Sequence, residues 1–457
     1  MLRKMILLLV VGLLPLGYFL LLRPVLEIAT GYTAKQYCSG LQISAMPQEF
    51  IWQYDIAPRM AALGPLRRWL KAGVEIAPNS VSSRLLGVQS KAVYRPALGC
   101  TLNIAEAEHT AAGLELAPHS PAPAPALLVE PASSALEQVL AQAFAEPAEG
   151  GRNTLAVLVA QRGQLLAERY RAPVTAATPL QGWSMNKSLL ATWVGMQHDR
   201  GHLSLETPVA PVLAQQGGEH LASNLAAELN LGHLLHMESG LDFQESYRPG
   251  DDATQMLYRS RAAWAVAPAK GQAAAPGELF NYSSGDSNVA ALLWQQSLGE
   301  RPYQDWLREE FQQVLGLAVL VAEPDASAVE VASSYTYMLA RDWLRVGQLW
   351  LDAWHGRSDL LSQDWQRSAV QPRRASSDGS YGRSFWLNTQ GVTFPNLPAT
   401  VFYASGNAGQ ALVVMPEQEI VVLRLGLSAS AADTGLSQLL EGVVEALGNS
   451  AASPAPR

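Results

Sequence analysis

The sequence predicts an α+β fold in which an antiparallel sheet is flanked by helices and joined to a mostly helical lobe. Two observations predict the sheet: strand-forming runs lie near both ends of a long carboxyl-terminal region, and short turns connect them. Strands joined by short turns are antiparallel neighbours. The helix-rich middle, roughly 184 to 350, predicts the second lobe. A functional site is expected in the cleft between lobe and sheet.

The predicted strands are rich in aliphatic and β-branched residues and end at turn residues. The first two, 154–160 and 164–170, flank a turn at Arg162-Gly163. Three more are predicted near the other end of this region, at 401–404, 411–415 and 420–425. Apolar residues at i, i+3, i+4 and i+7 between 436 and 447 then predict a final helix that covers the sheet.

Length and charge narrow the class of protein. The 457-residue chain, 48% hydrophobic, can bury a large core and is not a small disulfide-stapled scaffold. Its 32 basic and 40 acidic residues give a net charge of -8, which repels polyanions. Nucleic acid is therefore not an expected partner.

The amino end predicts a membrane anchor. Residues 5–22 are uncharged and mostly apolar, with Arg3 and Lys4 before them and Arg23 after them. A helix of this length rises about 27 Å, close to the roughly 30 Å hydrocarbon core. The excess of basic residues before the run predicts a cytoplasmic amino end. We therefore expect residues 1–23 to anchor the chain in a bacterial inner membrane, with the rest on the periplasmic side. The alternative is a cleaved signal peptide and a secreted protein.

The two cysteines, Cys38 and Cys100, are expected to form a disulfide, because an exported protein meets an oxidising compartment. A free buried pair is the alternative. They fall in a predicted small module at 30–116, which a Pro/Ala-rich linker at 117–134 separates from a larger domain at 135–448. Residues 449–457 are predicted to be a disordered tail.

The first chemical signal is Gly-Trp-Ser-Met-Asn-Lys, at the start of a helical pattern that Gly201 ends. Residues at i and i+3 share a helix face, so Ser184 and Lys187 are neighbours. A serine hydroxyl needs a base to take its proton, and a buried lysine near the positive end of a helix can do so as the neutral amine. Ser and Lys three apart also occur often by chance.

Two further segments carry polar residues in loops. The first, Phe-Asn-Tyr-Ser-Ser-Gly-Asp, contains Tyr282 and Ser284; a tyrosine there can also be simply packed, with its hydroxyl on a backbone carbonyl. The second is the Ser-Gly-Asn-Ala-Gly-Gln segment between two predicted strands, where the N–H of Gln410 is expected to form an oxyanion hole with the N–H of Ser184. By itself it is an ordinary glycine-containing hairpin.

The combination of the three segments resembles the serine β-lactamase and penicillin-binding-protein superfamily. It is most similar to the branch of class C β-lactamases, family VIII esterases and 6-aminohexanoate-dimer (nylon-oligomer) hydrolases. The similar text spans roughly 150–447 and includes GWSMNKS, HLLHMESGLDF, PGELFNYSSGDSN and GNAGQALVVMP. The resemblance implies a β-lactamase/transpeptidase-like fold, with Ser184 as nucleophile, Lys187 as its activating partner and Tyr282 as general acid/base.

The third motif departs from the family pattern. The usual Lys-Thr-Gly or His-x-Gly is aligned with Asn407-Ala408-Gly409, so no cation is available there for a penicillin carboxylate. Substrate contacts are expected from Ser284, Asn407 and Gly409. Tyr335, Tyr337, Tyr381 and Trp386 are aromatic residues that either line the cleft or pack in the core.

The sequence therefore predicts a membrane-anchored serine hydrolase that cleaves small esters or amides through an acyl-enzyme at Ser184. No cofactor and no metal are expected, because His233 and His236 lack the HExxH context of a metal pair. Two alternatives stay open. One is β-lactamase or D-Ala-D-Ala carboxypeptidase activity; the other is an inactive ligand-binding or sensor domain.

Overall fold

The computed structural model describes residues 22–103, 133–373, 375–376, 378–429 and 432–450. The predicted anchor, apart from Leu22 and Arg23, lies outside the described residues, as do most of the predicted linker and the last seven residues of the predicted tail. Among the helices that are described, none is both long and apolar enough to span a bilayer.

Helices and strands alternate along the described chain. Its six helices longer than ten residues are α1 (Arg23–Gln42), α2 (Ser134–Phe144), α3 (Met185–Asp199), α4 (Ser284–Gln296), α5 (Ala340–Trp354) and α6 (Leu436–Ser450). Its strands are β1 (Val74–Ala77), β2 (Ser80–Leu85), β3 (Val88–Arg95), β4 (Gly99–Leu102), β5 (Thr154–Gln161), β6 (Gln164–Tyr170), β7 (Leu180–Gln181), β8 (Leu320–Ala322), β9 (Thr336–Met338), β10 (Trp386–Leu387), β11 (Phe402–Gly406), β12 (Gln410–Met415) and β13 (Ile420–Gly426).

The remaining helical segments are short. α-Helical segments occupy Gln48–Phe50, Ala57–Arg59, Leu66–Ala72, Val209–Gln215, Glu219–Ala222, Leu231–Leu235, Asp252–Tyr258, Val266–Lys270, Tyr303–Trp306, Gln313–Leu315 and Gln363–Ala369. Two π-helical turns occupy Ile51–Ile56 and Leu307–Gln312, and 3₁₀ turns occupy Ala61–Leu63, Ala263–Ala265 and Asn407–Gly409.

The amino-terminal part consists of α1 packed on a four-stranded antiparallel sheet of order β1-β2-β3-β4. Cys38 on α1 and Cys100 on β4 form a disulfide, with Cα atoms 6.1 Å apart, so the predicted pairing is confirmed. α1 is buried over most of its length, on the side of the sheet and on the side of the rest of the chain. A helix in this position cannot be amphipathic in the usual sense, because both of its faces are covered.

A buried ion pair joins this part to the rest of the protein. Lys35 on α1 contacts Glu323, and both side chains are almost fully buried. The same carboxylate accepts hydrogen bonds from the Ser39 hydroxyl at 2.8 Å and from the Cys100 N–H at 2.6 Å. Because removing one partner would leave a buried charge unpaired, the amino-terminal part is fixed to the remaining fold. The predicted division into module, linker and domain at 30, 117 and 135 stays a prediction.

The central sheet has six antiparallel strands in the order β10-β11-β12-β13-β5-β6. Alternate residues face opposite sides: Val413 and Val422 pack with residues of α2 and α6, whereas Leu412 and Val421 pack against α5. Gly347 on α5 lies so close to Leu412 and Val421 that an added Cβ would fall 2.5 Å from Val421. The predicted hairpin, the three later strands and the final helix are confirmed, and the chain has the α+β fold expected from its sequence.

The helical lobe is built around α3 and α4. The indoles of Trp193 and Trp294 pack against each other with centroids 5.2 Å apart, and both are fully buried. A small sheet of order β7-β9-β8, whose strands have two or three residues, lies beside the start of α3. The start of α3 therefore lies where the lobe meets the central sheet.

Candidate active site

Ser184 and Lys187 lie together at the amino end of α3. Ser184 precedes the first helical residue, and the Nζ atom of Lys187 is 3.0 Å from its Oγ atom. Both are buried, Ser184 with 9% and Lys187 with 1% of its surface exposed. Gly182 permits the turn before them, because an added Cβ would lie 2.3 Å from the ring of Trp343. The predicted pairing of serine and lysine is therefore present in the fold.

Lys187 has two further partners from separate segments. Its Nζ atom is 2.9 Å from the Oγ of Ser284, the first residue of α4, and 3.4 Å from the carbonyl oxygen of Ser333. Ser283 caps α4 by accepting a hydrogen bond from the N–H of Asp286, which fixes the position of Ser284. The predicted site residue Ser284 thus lies beside the lysine.

Sequence reasoning missed Glu245, whose carboxylate binds Ser284. Oε1 accepts a hydrogen bond from the Ser284 hydroxyl and Oε2 accepts one from its N–H, both at 2.7 Å. Oε1 also accepts a bond from the Tyr247 hydroxyl at 2.9 Å. Glu245 stands two residues beyond the HLLHMESGLDF segment that carries the resemblance. Its position in a loop without regular structure gave no local signal.

Tyr282 covers Lys187 from the cleft side. The Nζ atom of Lys187 lies over the Tyr282 ring, 4.8 Å from its centroid. Tyr381 and Trp386 pack against the same ring, with centroid distances of 5.7 and 5.2 Å. Within the described chain the Tyr282 hydroxyl makes no hydrogen bond. Of the four aromatic residues considered from the sequence, these two lie at the site.

The other two aromatic residues are buried elsewhere. Tyr335 donates a hydrogen bond to the carbonyl oxygen of Leu257, and Tyr337 donates one to Oε1 of Gln181. Both have less than one twentieth of their surface exposed. They belong to the packing between the amino-terminal part and the lobe.

The third predicted segment forms the turn between β11 and β12. Gly406 ends β11 and lies against the turn before Ser184: an added Cβ would be 2.2 Å from the carbonyl oxygen of Gly182. Asn407 and Gly409 lie in the following 3₁₀ turn, and Gln410 is paired with Gly406 across the hairpin. The side chain of Gln410 bonds back to the chain, at the carbonyl oxygens of Asn407 and Gly426. The β11 end of the hairpin is thus in close contact with the turn before Ser184.

Two buried carboxyl groups lie behind the site. Glu330 accepts a hydrogen bond from the side-chain amide of Asn186 at 2.7 Å, and burial raises its pKa to about 8. Burial likewise raises the pKa of Asp286 to about 7, against the opposing effect of hydrogen bonds from Ser239 and Ser283. A buried site tolerates a neutral carboxyl group, whereas a buried carboxylate would need a positively charged partner.

The two histidines noted in the sequence lie away from Ser184. His233 and His236 line a separate surface pocket together with Arg373 and Arg383, outside the Ser184 site. No group of three or more metal-ligating side chains occurs in the part of the chain that the structure describes.

A buried serine held by a lysine, on an α+β fold with the site between lobe and sheet, defines a serine hydrolase. Comparison with known proteins supports this class. The model of the Beta-lactamase family matches residues 136–430, so the chain belongs to the Beta-lactamase family.

Individual relatives agree with this assignment. The chain is 25% identical over 309 residues to the 6-aminohexanoate-dimer hydrolase of Paenarthrobacter ureafaciens. The aligned region covers 60% of this chain and 72% of that protein. A solved Bacillus anthracis protein named after the same hydrolases has a TM-score of 0.59 at 17% identity, covering 74% of this chain and 90% of that one. A penicillin-binding-protein homologue from Caulobacter crescentus has a TM-score of 0.54 at 16% identity, covering 69% of this chain and 99% of that one. These two structures show the shared fold.

Proposed function

We propose that this protein hydrolyses ester or amide bonds of small substrates through an acyl-enzyme at Ser184. The observation that carries the proposal is the environment of the Lys187 amine, which contacts Ser184 at 3.0 Å in a buried site. A nucleophile and its base within hydrogen-bond distance are the signature of this mechanism.

The hydrogen bonds around Lys187 support its role as the base. The hydroxyl hydrogen of Ser284 is directed to Glu245, so the Ser284 oxygen is left to accept a bond from Lys187. Ser333 offers a carbonyl oxygen, which can only accept. A neutral amine has two N–H groups and one lone pair. With its N–H groups directed to Ser284 and Ser333, the lone pair is free to take the Ser184 proton.

We assign the remaining steps to groups around the serine. The Ser184 oxygen attacks the substrate carbonyl while its proton passes to Lys187. The leaving group takes a proton from the Tyr282 hydroxyl, and Lys187, whose Nζ lies over the Tyr282 ring, returns a proton to that oxygen. Water then attacks the acyl-enzyme in the reverse sequence and releases the acid.

The oxyanion hole is proposed to use the Ser184 N–H and one N–H of the β11–β12 hairpin. The sequence assigns the second group to Gln410. The close approach of Gly406 to Gly182 favours the N–H of Asn407 instead, because Asn407 directly follows the residue that touches the nucleophile turn. Ser284, Asn407 and Gly409 remain our proposed substrate contacts.

We propose esters and simple amides as substrates rather than penicillins. The hairpin turn that faces the nucleophile contains Asn407 where the family pattern has a cation. An asparagine amide can donate a hydrogen bond to a substrate carboxylate but gives no ionic attraction. The partly exposed ring of Trp386 beside Tyr282 offers an apolar surface to an acyl or leaving group.

We further propose that the protein works outside the cytoplasm. The Cys38–Cys100 disulfide supports an oxidising compartment. Residues 5–22 carry the proposed inner-membrane anchor.

The proposal is tested with a fluorophosphonate probe and with substrate assays. The wild-type protein should be labelled, Ser184→Ala should not, and the exposed-serine control Ser223→Ala should label as the wild type does. Labelling that persists in Ser184→Ala would remove the nucleophile, and no labelling of any variant would favour a ligand-binding domain. Short-chain p-nitrophenyl esters should be hydrolysed faster than benzylpenicillin; equal or faster penicillin turnover would favour the β-lactamase alternative.

A further inference from the structure

A second polar pocket opens on the helical lobe, separate from the Ser184 site. It encloses about 950 Å³ of space open to solvent. Its basic lining residues are His233, His236, Arg373 and Arg383. None of the residues around Lys187 contributes to it. The family and the proposed function leave this concentration of basic side chains unexplained.

Arg383 is the buried arginine of this group and has no counter-ion among the described residues. Only 7% of its surface is exposed. Its Nη1 donates to the Ser368 hydroxyl at 3.1 Å, and its guanidinium lies on the ring of Trp365, 4.4 Å from the centroid. Nε has no partner, and among the described residues no carboxylate lies within ion-pair distance of Arg383. A buried guanidinium with one hydrogen bond is costly unless something else satisfies it.

Arg424 shows how this fold satisfies an arginine that is meant to be structural. It is 1% exposed, and its guanidinium donates to the carbonyl oxygens of Arg152, Gly409 and Thr434. It also reaches two hydroxyl groups. The described residues give Arg383 no comparable set of acceptors, although it is buried to a similar degree. The difference indicates that the acceptors for Arg383 come from outside the chain.

The neighbouring charges favour an anion as that acceptor. Burial, and to a smaller extent the charge of the nearby Arg373, lowers the pKa of Arg383 to about 10. The Nε atom of Arg373 is 3.4 Å from Glu238, a long contact, and half of the Arg373 side chain is exposed. Burial and the nearby arginines lower the pKa of His236 to about 3, so this histidine is neutral.

Acidic residues also line the pocket, at its outer edge. Glu206 and Glu228 are both exposed, and Glu206 accepts a hydrogen bond from Asn230. Solvent screens exposed carboxylates strongly, whereas the Arg383 charge lies deeper, where screening is weak. The acidic edge therefore does not replace a counter-ion at Arg383.

We propose that this pocket binds a small oxyanion, a carboxylate or a phosphate, on the side chains of Arg383 and Arg373. Two guanidinium groups can offer such an anion paired, charge-assisted hydrogen bonds. The inference does not depend on the reaction at Ser184. A short stretch of chain nevertheless connects the two, because Tyr381 packs on Tyr282 and lies two residues before Arg383.

The segment that follows Arg383 also reaches the nucleophile helix. The carbonyl oxygen of Ser384 accepts a hydrogen bond from the Ser188 hydroxyl on α3, at 2.6 Å. An anion held by Arg383 therefore also restrains the chain that connects the pocket to the catalytic cleft.

The test measures anion binding to the purified full-length chain at neutral pH. Sodium phosphate and sodium acetate are titrated separately by calorimetry, with sodium chloride at equal ionic strength as reference. We expect saturable binding of phosphate, acetate or both, and the anion that binds identifies its class. Arg383→Gln should weaken this binding by about tenfold or more, as expected for losing charge-assisted bonds.

Two further variants keep the test decisive. Arg373→Gln removes a half-exposed side chain, so it should fold even if Arg383→Gln does not, and it should also weaken binding. The control is Arg84→Gln. Arg84 is exposed, pairs with Glu75 and does not line the pocket, so this variant should bind the anion as the wild type does. Absence of binding above the chloride reference, or equal losses in Arg373→Gln and Arg84→Gln, would overturn the proposal.

Discussion

Arg59 lies on the face of the Trp183 indole, with its Cζ atom 5.3 Å from the ring centroid. Trp183 directly precedes Ser184, is 2% exposed and has a φ of 49°, which a bulky residue rarely adopts. Asp55 holds Arg59 in place at 3.2 Å. Both Arg59 and Asp55 precede the region that the family model matches. The amino-terminal part of the chain therefore supports the turn that leads into Ser184, the proposed nucleophile.

Removing this contact should slow the enzyme. A cation over an indole contributes about 0.5–2 kcal/mol. If that energy maintains the conformation of Trp183, Arg59→Ala should lower kcat on a p-nitrophenyl ester by about tenfold with little change in KM. Arg59→Lys, which keeps the charge, should recover part of the rate. Arg68→Ala, an exposed arginine of the same part, is the control; a loss of kcat as large as that of Arg59→Ala would refute the positioning role.

Gly406 should tolerate no side chain. An added Cβ would lie 2.2 Å from the Gly182 carbonyl oxygen, although the φ of −137° is open to any residue. The cost of Gly406→Ala is therefore steric, and overpacking of this kind costs about 1–3 kcal/mol. We expect a lower melting temperature and at least about a tenfold loss of esterase activity, since the nucleophile turn must move. Gly448→Ala, with open space around it, should leave both unchanged; wild-type activity in Gly406→Ala would show that this contact is not needed.

Local sequence patterns were enough to predict most strands of the central sheet and several residues of the site. The hairpin of β5 and β6 and the strands of β11 to β13 follow from aliphatic runs and turn residues, and Ser184, Lys187 and Ser284 follow from motif spacing. What these patterns could not predict depends on distant contacts. No local pattern marks Lys35, which is buried against Glu323, 288 positions away. Glu245 lies in a loop whose position is set only by the completed fold, and the strands of the small β7-β9-β8 sheet are too short to carry a periodic signal.

Glu245 should be a positioning residue for Lys187. Both of its oxygens accept hydrogen bonds, from the Ser284 N–H and from two hydroxyl groups. A glutamine amide has only one oxygen that accepts hydrogen bonds, so in Glu245→Gln the Ser284 hydroxyl should turn and donate to Lys187 instead. This bond would occupy the Nζ lone pair that is proposed to take the Ser184 proton. We expect kcat to fall by about ten- to a hundredfold and its pH dependence to shift. Glu278→Gln, on an exposed turn, is the matched control. An unchanged pH profile with normal kcat would exclude the role.

The disulfide should contribute strongly to stability. Cys38 and Cys100 close a loop of 62 residues, and the chain-entropy relation gives about 4 kcal/mol for a loop of this length. The Cys38→Ser/Cys100→Ser double variant should therefore unfold at a lower urea concentration. Treatment of the wild type with a reductant should produce the same shift and should not affect the double variant. Equal unfolding midpoints for wild type and variant would show that α1 holds the sheet without the covalent bond.

The buried carboxyl of Glu330 should make stability depend on pH. Its pKa is about 8 in the folded state, well above its ordinary value near 4.5, so the folded state keeps a proton that the unfolded state releases. This contribution is fully present below about pH 4.5 and is lost as the pH rises toward 8. Glu330→Gln keeps the acceptor for Asn186 and removes the titration. The free energy of unfolding of Glu330→Gln, relative to that of the wild type, should therefore increase by about a few kcal/mol as the pH rises from about 5 to 8. Urea denaturation at each pH measures this difference. The exposed control Glu300→Gln should show no such trend, and a difference between Glu330→Gln and wild type that is constant with pH would contradict the raised pKa.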